Sequence, residues 1–158
     1  MGLSPIRAFL RRHRHIALDT SVFVYHIEAN KSYVDIAAAI FLWLEQPSHS
    51  AVTSTITMSE LLVKPCRSGD EILVNQYYGL FSQFPNLQWV APNLAIAAAA
   101  AELRAVHGLR TPVALQAAVA AASGVTAFLT NDKSLLRLPQ IEVGILDRLR
   151  LTYPYVQD

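Results

Sequence analysis

The chain has 158 residues, 53% of them hydrophobic and 16% charged, with a formal net charge of +1. That length suits one domain with a sizeable core, and the apolar content argues against disorder. A near-neutral balance requires any affinity for nucleic acid to come from a local patch, and the single cysteine, Cys66, excludes an internal disulfide and any multi-cysteine metal site.

Arg7, Arg11, Arg12 and Arg14 crowd the first segment. The apolar run behind them is broken by Asp19 and carries no small-residue cleavage signature, so it does not read as a secretory signal. No stretch reaches the ~20 apolar residues of a membrane span. A reducing cytoplasm is the expected setting. Ser4-Pro5-Ile6 opens a basic helix over about residues 4–14, with Ile6, Phe9 and Leu10 on one face and arginines on the other.

A short buried strand, Ile16 to Asp19, comes next and passes into a helix that runs to about Glu28. Asn30-Lys31-Ser32 breaks the chain, and Tyr33 to Glu45 repeats apolar residues at helical spacing until Pro47. Ser50 to Ser54 is a second strand, followed from Thr55 by a helix with hydroxyls at its start and Glu60 near its first turn. Pro65 to Gly69 reads as a turn, Asp70 to Phe84 as a helix, and Leu87 to Val90 as a third strand.

Leu94 to His107 is an alanine-rich helix stopped by Gly108. Thr111-Pro112 opens another, Val113 to Ser123. Thr126 to Leu129 is a fourth strand ending in Thr130-Asn131-Asp132, and Ile141 to Ile145 a short fifth. Strands alternating with helices, without tight hairpins, imply βαβ crossovers and a parallel sheet of four to five strands covered on both faces. Neither an internal repeat nor a low-complexity linker divides residues 1–158, which read as a single domain.

Asp19 and Asp132 each follow a strand, and Glu60 opens the helix after another. All three therefore face the carboxyl edge of the sheet, where ligands collect in open α/β folds. Carboxylates gathered from distant segments repel one another unless a cation or protons intervene. Oxygen-only ligands suit Mg²⁺ or Mn²⁺, and such an ion can activate water and stabilise the leaving oxygen of a phosphodiester.

Four stretches carry a resemblance over nearly the whole chain: Leu18-Asp19-Thr20-Ser21-Val22-Phe23, Thr57-Met58-Ser59-Glu60-Leu61-Leu62, Leu109-Arg110-Thr111-Pro112-Val113-Ala114-Leu115-Gln116 and Phe128-Leu129-Thr130-Asn131-Asp132. In order and spacing the chain resembles a PIN domain of the VapC-like toxin ribonuclease kind. The resemblance implies a three-layer α/β/α sandwich and a Mg²⁺- or Mn²⁺-dependent endoribonuclease that leaves a 5′-phosphate. It also implies a cognate antitoxin as partner. By position, Asp19, Glu60 and Asp132 are its catalytic and metal-binding carboxylates, with Thr20, Ser21, Thr130 and Asn131 as polar support. One position departs. After Arg-Thr-Pro the family places a metal-binding aspartate, and this chain has Val113, which offers no ligand oxygen. The alternative is a catalytically degenerate PIN domain that binds RNA or protein. Glu102, on the preceding helix, is a weak candidate for the missing oxygen.

Each carboxylate alone reads more simply as a helix cap or turn residue, and the shared rim is what favours chemistry. Arg110, Lys133 and Arg137, beside the acidic motifs, are the better candidates for guiding a phosphate, while the N-terminal arginines read first as a solvated face. The five histidines lack metal-like pairing, and Cys66, between Lys64 and Arg67, reads as a plain small residue. Tyr77, Tyr78, Phe81, Phe84 and Trp89 sit at helical spacing that says core or dimer contact before base stacking. The apolar surplus suits a homodimer. A haloacid-dehalogenase-type phosphotransferase needs an aspartate where Ser21 stands. A response-regulator receiver needs an acidic pair where only Asp19 is present.

Overall fold

A computed structural model describes residues 3–150 of the chain, so the ends of the expected 1–158 domain, residues 1, 2 and 151–158, lie outside it. Five strands form one sheet: β1 (His15–Leu18), β2 (Ser50–Ser54), β3 (Leu87–Val90), β4 (Ala127–Thr130) and β5 (Glu142–Ile145), in the order β3-β2-β1-β4-β5. Every neighbouring pair is parallel, with Ile16 opposite Ala51 on one side and Ala127 on the other. Parallel neighbours cannot be joined by a tight turn, so helices make the returns. These are α2 (Thr20–Ile27) with α3 (Val34–Leu44), α4 (Thr55–Arg67) with α5 (Glu71–Ser82), and α6 (Leu94–His107) with α7 (Thr111–Ala122). The three-layer parallel sandwich expected from the sequence is the fold observed.

Alternate strand residues feed two cores, as a period of two dictates. Ile16, Leu18, Ala51, Ala127 and Leu129 face one layer with Phe23, Ile40, Leu44 and Phe81. Ala17, Val52 and Phe128 face the other, against Ile96 and Ala100 of α6 and Ala114, Ala117 and Ala118 of α7. The small residues let α6 and α7 lie close over the sheet. Aromatic edges fill the first layer, with Phe23 at 5.1 Å and 90° from Phe81 and 5.7 Å from Phe41. Phe81 is fully buried and Phe84 and Trp89 pack against this core, while Tyr78 remains exposed.

The N-terminal helix α1 (Pro5–Arg11) caps the first layer through Ile6, Phe9 and Leu10. Its C-terminal end reaches the amino edge of the sheet. There Arg12 pairs with Glu142, and the His13 ring bridges Thr126 Oγ1 at 2.8 Å and Glu142 Oε2 at 2.6 Å. That edge is opposite the one at which Asp19 and Asp132 emerge, so these basic residues serve the fold.

Several details differ from expectation. Asp19 lies just past β1 as the N-cap of α2. Helix α4 continues through Pro65 to Arg67 instead of turning there, because a proline in the last turn removes only the one donor to Leu61. The chain from Lys133 to Arg137 forms a 3₁₀ turn, and Leu146–Leu149 adds a one-turn helix, α8, too short for periodicity to reveal.

Candidate active site at the carboxyl edge of the sheet

From β1 the chain moves outward to β2 and β3, then returns to β4 on the opposite side of β1. Such a reversal opens a crevice between the two strands at their carboxyl ends. A pocket of about 730 Å³ lies there, lined by Asp19, Glu60 and Asp132 together with Arg110, Val113 and Lys133. Thr20, Ser21 and Asn131 also line it, as do Tyr25 and Gln116, which sequence reasoning passed over. Thr130 is fully buried beneath the pocket and Glu102 is not part of it.

Each carboxylate is held by its local backbone. The Asp19 N–H donates to Leu129 O at 3.0 Å, extending the ladder between β1 and β4 past the strand end. Asp19 Oδ1 accepts from the Thr20 N–H at 2.7 Å, and Oδ2 from the Thr130 hydroxyl at 2.7 Å and Ser21 at 3.5 Å. Thr130 Oγ1 in turn accepts the Asp132 N–H at 3.0 Å, so one hydroxyl ties both aspartates together. Asp132 caps the 3₁₀ turn by accepting from the Ser134 N–H at 3.0 Å.

Glu60 is reached through a buried chain of hydroxyls. Thr53 Oγ1 donates its one proton to Leu18 O at 2.9 Å, an oxygen that can only accept, so in the 2.8 Å contact between Thr57 and Thr53 the Thr57 hydroxyl is the donor. Thr57 Oγ1 therefore accepts from Gln116 Nε2 at 2.8 Å. The second Gln116 N–H lies 3.3 Å from Thr20 Oγ1, which lies 3.3 Å from Glu60 Oε1. Donor direction is thereby fixed from Gln116 on α7 to the carbonyl before Asp19, while the one Thr20 proton faces both Thr57 Oγ1 at 3.2 Å and Glu60 Oε1 at 3.3 Å. The signal for this role was present as a lone glutamine on an alanine-rich helix face and as paired hydroxyls at Thr53 and Thr57.

Burial, and then the charge of Asp132, pushes the Asp19 carboxyl above its ordinary value against the lowering hydrogen bonds of Thr130, Thr20 and Ser21. Partial burial and then the Asp19 charge push Glu60 up as well, opposed by Thr20, Arg110 and Gln116. Asp19 thus sits between two carboxylates that act on it or feel it. Among the described residues no three His, Cys, Asp or Glu side chains converge closely enough to enclose an ion by themselves. An all-carboxylate set with this spread fits the chemistry of a hydrated Mg²⁺ or Mn²⁺, which keeps several waters and needs few protein ligands. Val113 lines the pocket without contributing an oxygen.

Of the other expected polar contacts, Arg110 and Lys133 are exposed at the mouth. Asn131 is engaged elsewhere. Its Oδ1 accepts the Asp147 N–H at 2.9 Å, and its Nδ2 donates to the Tyr25 hydroxyl at 2.7 Å. Arg137 lies in the 3₁₀ turn outside the pocket lining.

Solved structures share this architecture. A toxin–antitoxin complex from Klebsiella pneumoniae aligns with a TM-score of 0.58 at 17% identity, covering 80% of this chain and 94% of that one. VapBC2 from Rickettsia felis, bound to a DNA fragment from its promoter, gives 0.62 at 18%, covering 82% and 97%. DNA-bound VapBC from Salmonella typhimurium gives 0.59 at 19%, covering 83% and 97%. No curated protein sequence matches the chain. The family described as PIN domain matches residues 16–141, a span that holds every residue lining the pocket and leaves out α1, β5 and α8, and the chain belongs to that family.

Proposed function

We propose that the chain is a metal-dependent endoribonuclease, the toxin half of a toxin–antitoxin pair, acting on RNA phosphodiesters. What carries the reading is the convergence of Asp19, Glu60 and Asp132 from three separated segments on one pocket that also presents Arg110 and Lys133. Asp19 and Asp132 would hold Mg²⁺ or Mn²⁺, with Glu60 beside them. The bound ion supplies an activated water and relieves charge on the leaving oxygen. Arg110 and Lys133 draw the RNA backbone to the pocket, and Thr130 keeps both aspartates at a fixed separation. An antitoxin, a homodimer and a cytoplasmic setting belong to the same proposal. Among the described residues no helix is long and apolar enough to cross a membrane.

A second reading rests on Val113: a PIN scaffold that keeps RNA or protein binding and has lost cleavage. Restoring the family's carboxylate separates the two. In Val113→Asp, Mn²⁺ affinity by calorimetry and cleavage of single-stranded RNA should both rise by about tenfold or more, the scale on which even outer-sphere partners of a metal act. Adding Asp19→Asn should abolish that cleavage. Cleavage by the unaltered chain that is lost in Asp19→Asn favours the enzyme. RNA binding without cleavage until Val113→Asp favours the degenerate module. A Val113→Asp chain that gives no Mn²⁺ heat and no cleavage refutes the nuclease reading.

A further inference from the structure

Tyr25 stands one helical turn beyond Ser21 on the same face of α2 and lines the pocket. Its ring is stacked on Tyr33 with centroids 3.9 Å apart and planes 5° from parallel, and the Tyr33 hydroxyl is fixed by donating to Asp147. The Tyr25 oxygen accepts a hydrogen bond from Asn131 Nδ2 at 2.7 Å. A phenol oxygen that accepts in this way still carries its own proton, and among the described residues that proton has no acceptor. The pocket therefore contains a neutral donor, held in place before any ligand arrives, alongside its three carboxylates and two cations.

We propose that the Tyr25 hydroxyl donates to a non-bridging phosphate oxygen of single-stranded RNA bound in this pocket, making Tyr25 a substrate-contacting residue. The inference rests on the ribonuclease reading above and names how that pocket holds its backbone. A phosphate oxygen is an acceptor that the described residues do not supply to the Tyr25 proton. Because stacking has already restricted the ring, little side-chain freedom is lost on binding. Asn131 then acts at one remove, orienting the tyrosine oxygen while its own amide bonds hold the start of α8.

The test uses Tyr25→Phe, which keeps the stacked ring and removes only the hydroxyl. A fluorescein-labelled single-stranded RNA of mixed sequence is titrated with the full chain in Mg²⁺, and binding is read by anisotropy. The expected result is a loss of affinity of about tenfold, the size of one hydrogen bond to a charged acceptor. An abasic version of the same strand should suffer the same ratio, because the contact is to the backbone. Tyr33→Phe, which removes a hydroxyl outside the pocket lining and leaves the stack, should bind as the unaltered chain does. Unchanged affinity in Tyr25→Phe overturns the inference while leaving the nuclease reading standing, as does equal weakening by Tyr33→Phe or a loss seen only with natural bases. Absence of RNA binding by both the unaltered chain and Val113→Asp removes the reading beneath it, and the inference with it.

Discussion

Gln116→Leu is expected to unfold more easily by about 1–3 kcal/mol, although leucine nearly matches its volume. Gln116 is 4% exposed, and its Nε2 supplies bonds to Thr57 Oγ1 at 2.8 Å and Thr20 Oγ1 at 3.3 Å. A net buried hydrogen bond is worth ~1 kcal/mol, and a buried acceptor left without its donor costs about 1–3 kcal/mol. In a domain of this size each kcal/mol lowers Tm by about 2–4 °C. The sharper check is a double-mutant cycle with Thr57→Val. If Gln116 feeds Thr57 as the donor order requires, the two substitutions remove one shared bond. Their combined effect should then fall short of additivity by about 0.5–1.5 kcal/mol. Urea titrations followed by circular dichroism, without divalent ions and with equal m-values required across the set, give the four free energies. Additivity within ~0.3 kcal/mol would mean that the proton order is wrong and that α7 and α4 are joined by packing alone.

Two further expectations concern the first layer and the amino edge. A Cβ on Gly144 would lie 2.7 Å from Leu129 Cδ2 and 2.9 Å from Phe9 Cζ, so Gly144→Ala should destabilise by about 1–3 kcal/mol in thermal melts. The double substitution Gly144→Ala, Phe9→Leu should recover part of that loss, and no recovery would show that α1 does not press on β5. Glu142 is held below its ordinary 4.5 by the Arg12 hydrogen bond, against burial and with help from His13. A depressed carboxylate contributes stability above its unfolded value and loses it as pH falls through the folded one. Glu142→Gln should therefore be less stable than the unaltered chain at neutral pH and equal to it below both values; a gap that persists in acid would deny the ion pair.

The order of strands and helices was legible because buried parallel strands and amphipathic helices differ in apolar period, and Gly108 and Pro47 mark where two helices stop. Pro65 misled because sequence shows a missing donor but not how few hydrogen bonds remain to be lost in a last turn. The short 3₁₀ turn and α8 were invisible for want of a full period. At the pocket, Asp19, Glu60 and Asp132 announced themselves by chain position, since anything just past a parallel strand shares one rim. Gln116, Thr53 and Thr57 did not, because their importance lies in which oxygen has a proton left to give. Tyr25 gave no signal of its own in the sequence, and what marks it is the Asn131 amide bonded to its oxygen. Asn131, which sequence placed near a ligand, turned out to have its amide already engaged.

Val113 alters the charge of the pocket as well as its oxygen count. By formal charge, three carboxylates face Arg110 and Lys133, which leaves the pocket one unit negative. An aspartate at position 113 would leave it two units negative. On the nuclease reading a divalent cation then brings the present pocket to one unit positive and the Val113→Asp pocket to neutrality. The first should attract a phosphate backbone more strongly once loaded, and the second should hold its ion more strongly and aim it better. The two gains are opposed, so Val113→Asp should raise kcat while also raising KM for RNA, with weaker RNA affinity at saturating Mn²⁺. Lowering ionic strength should widen the affinity gap, since the difference is electrostatic and screened by salt over about 8–10 Å. Tighter RNA binding by Val113→Asp at saturating Mn²⁺ would mean that position 113 acts through shape, and that the charge argument for this pocket is wrong.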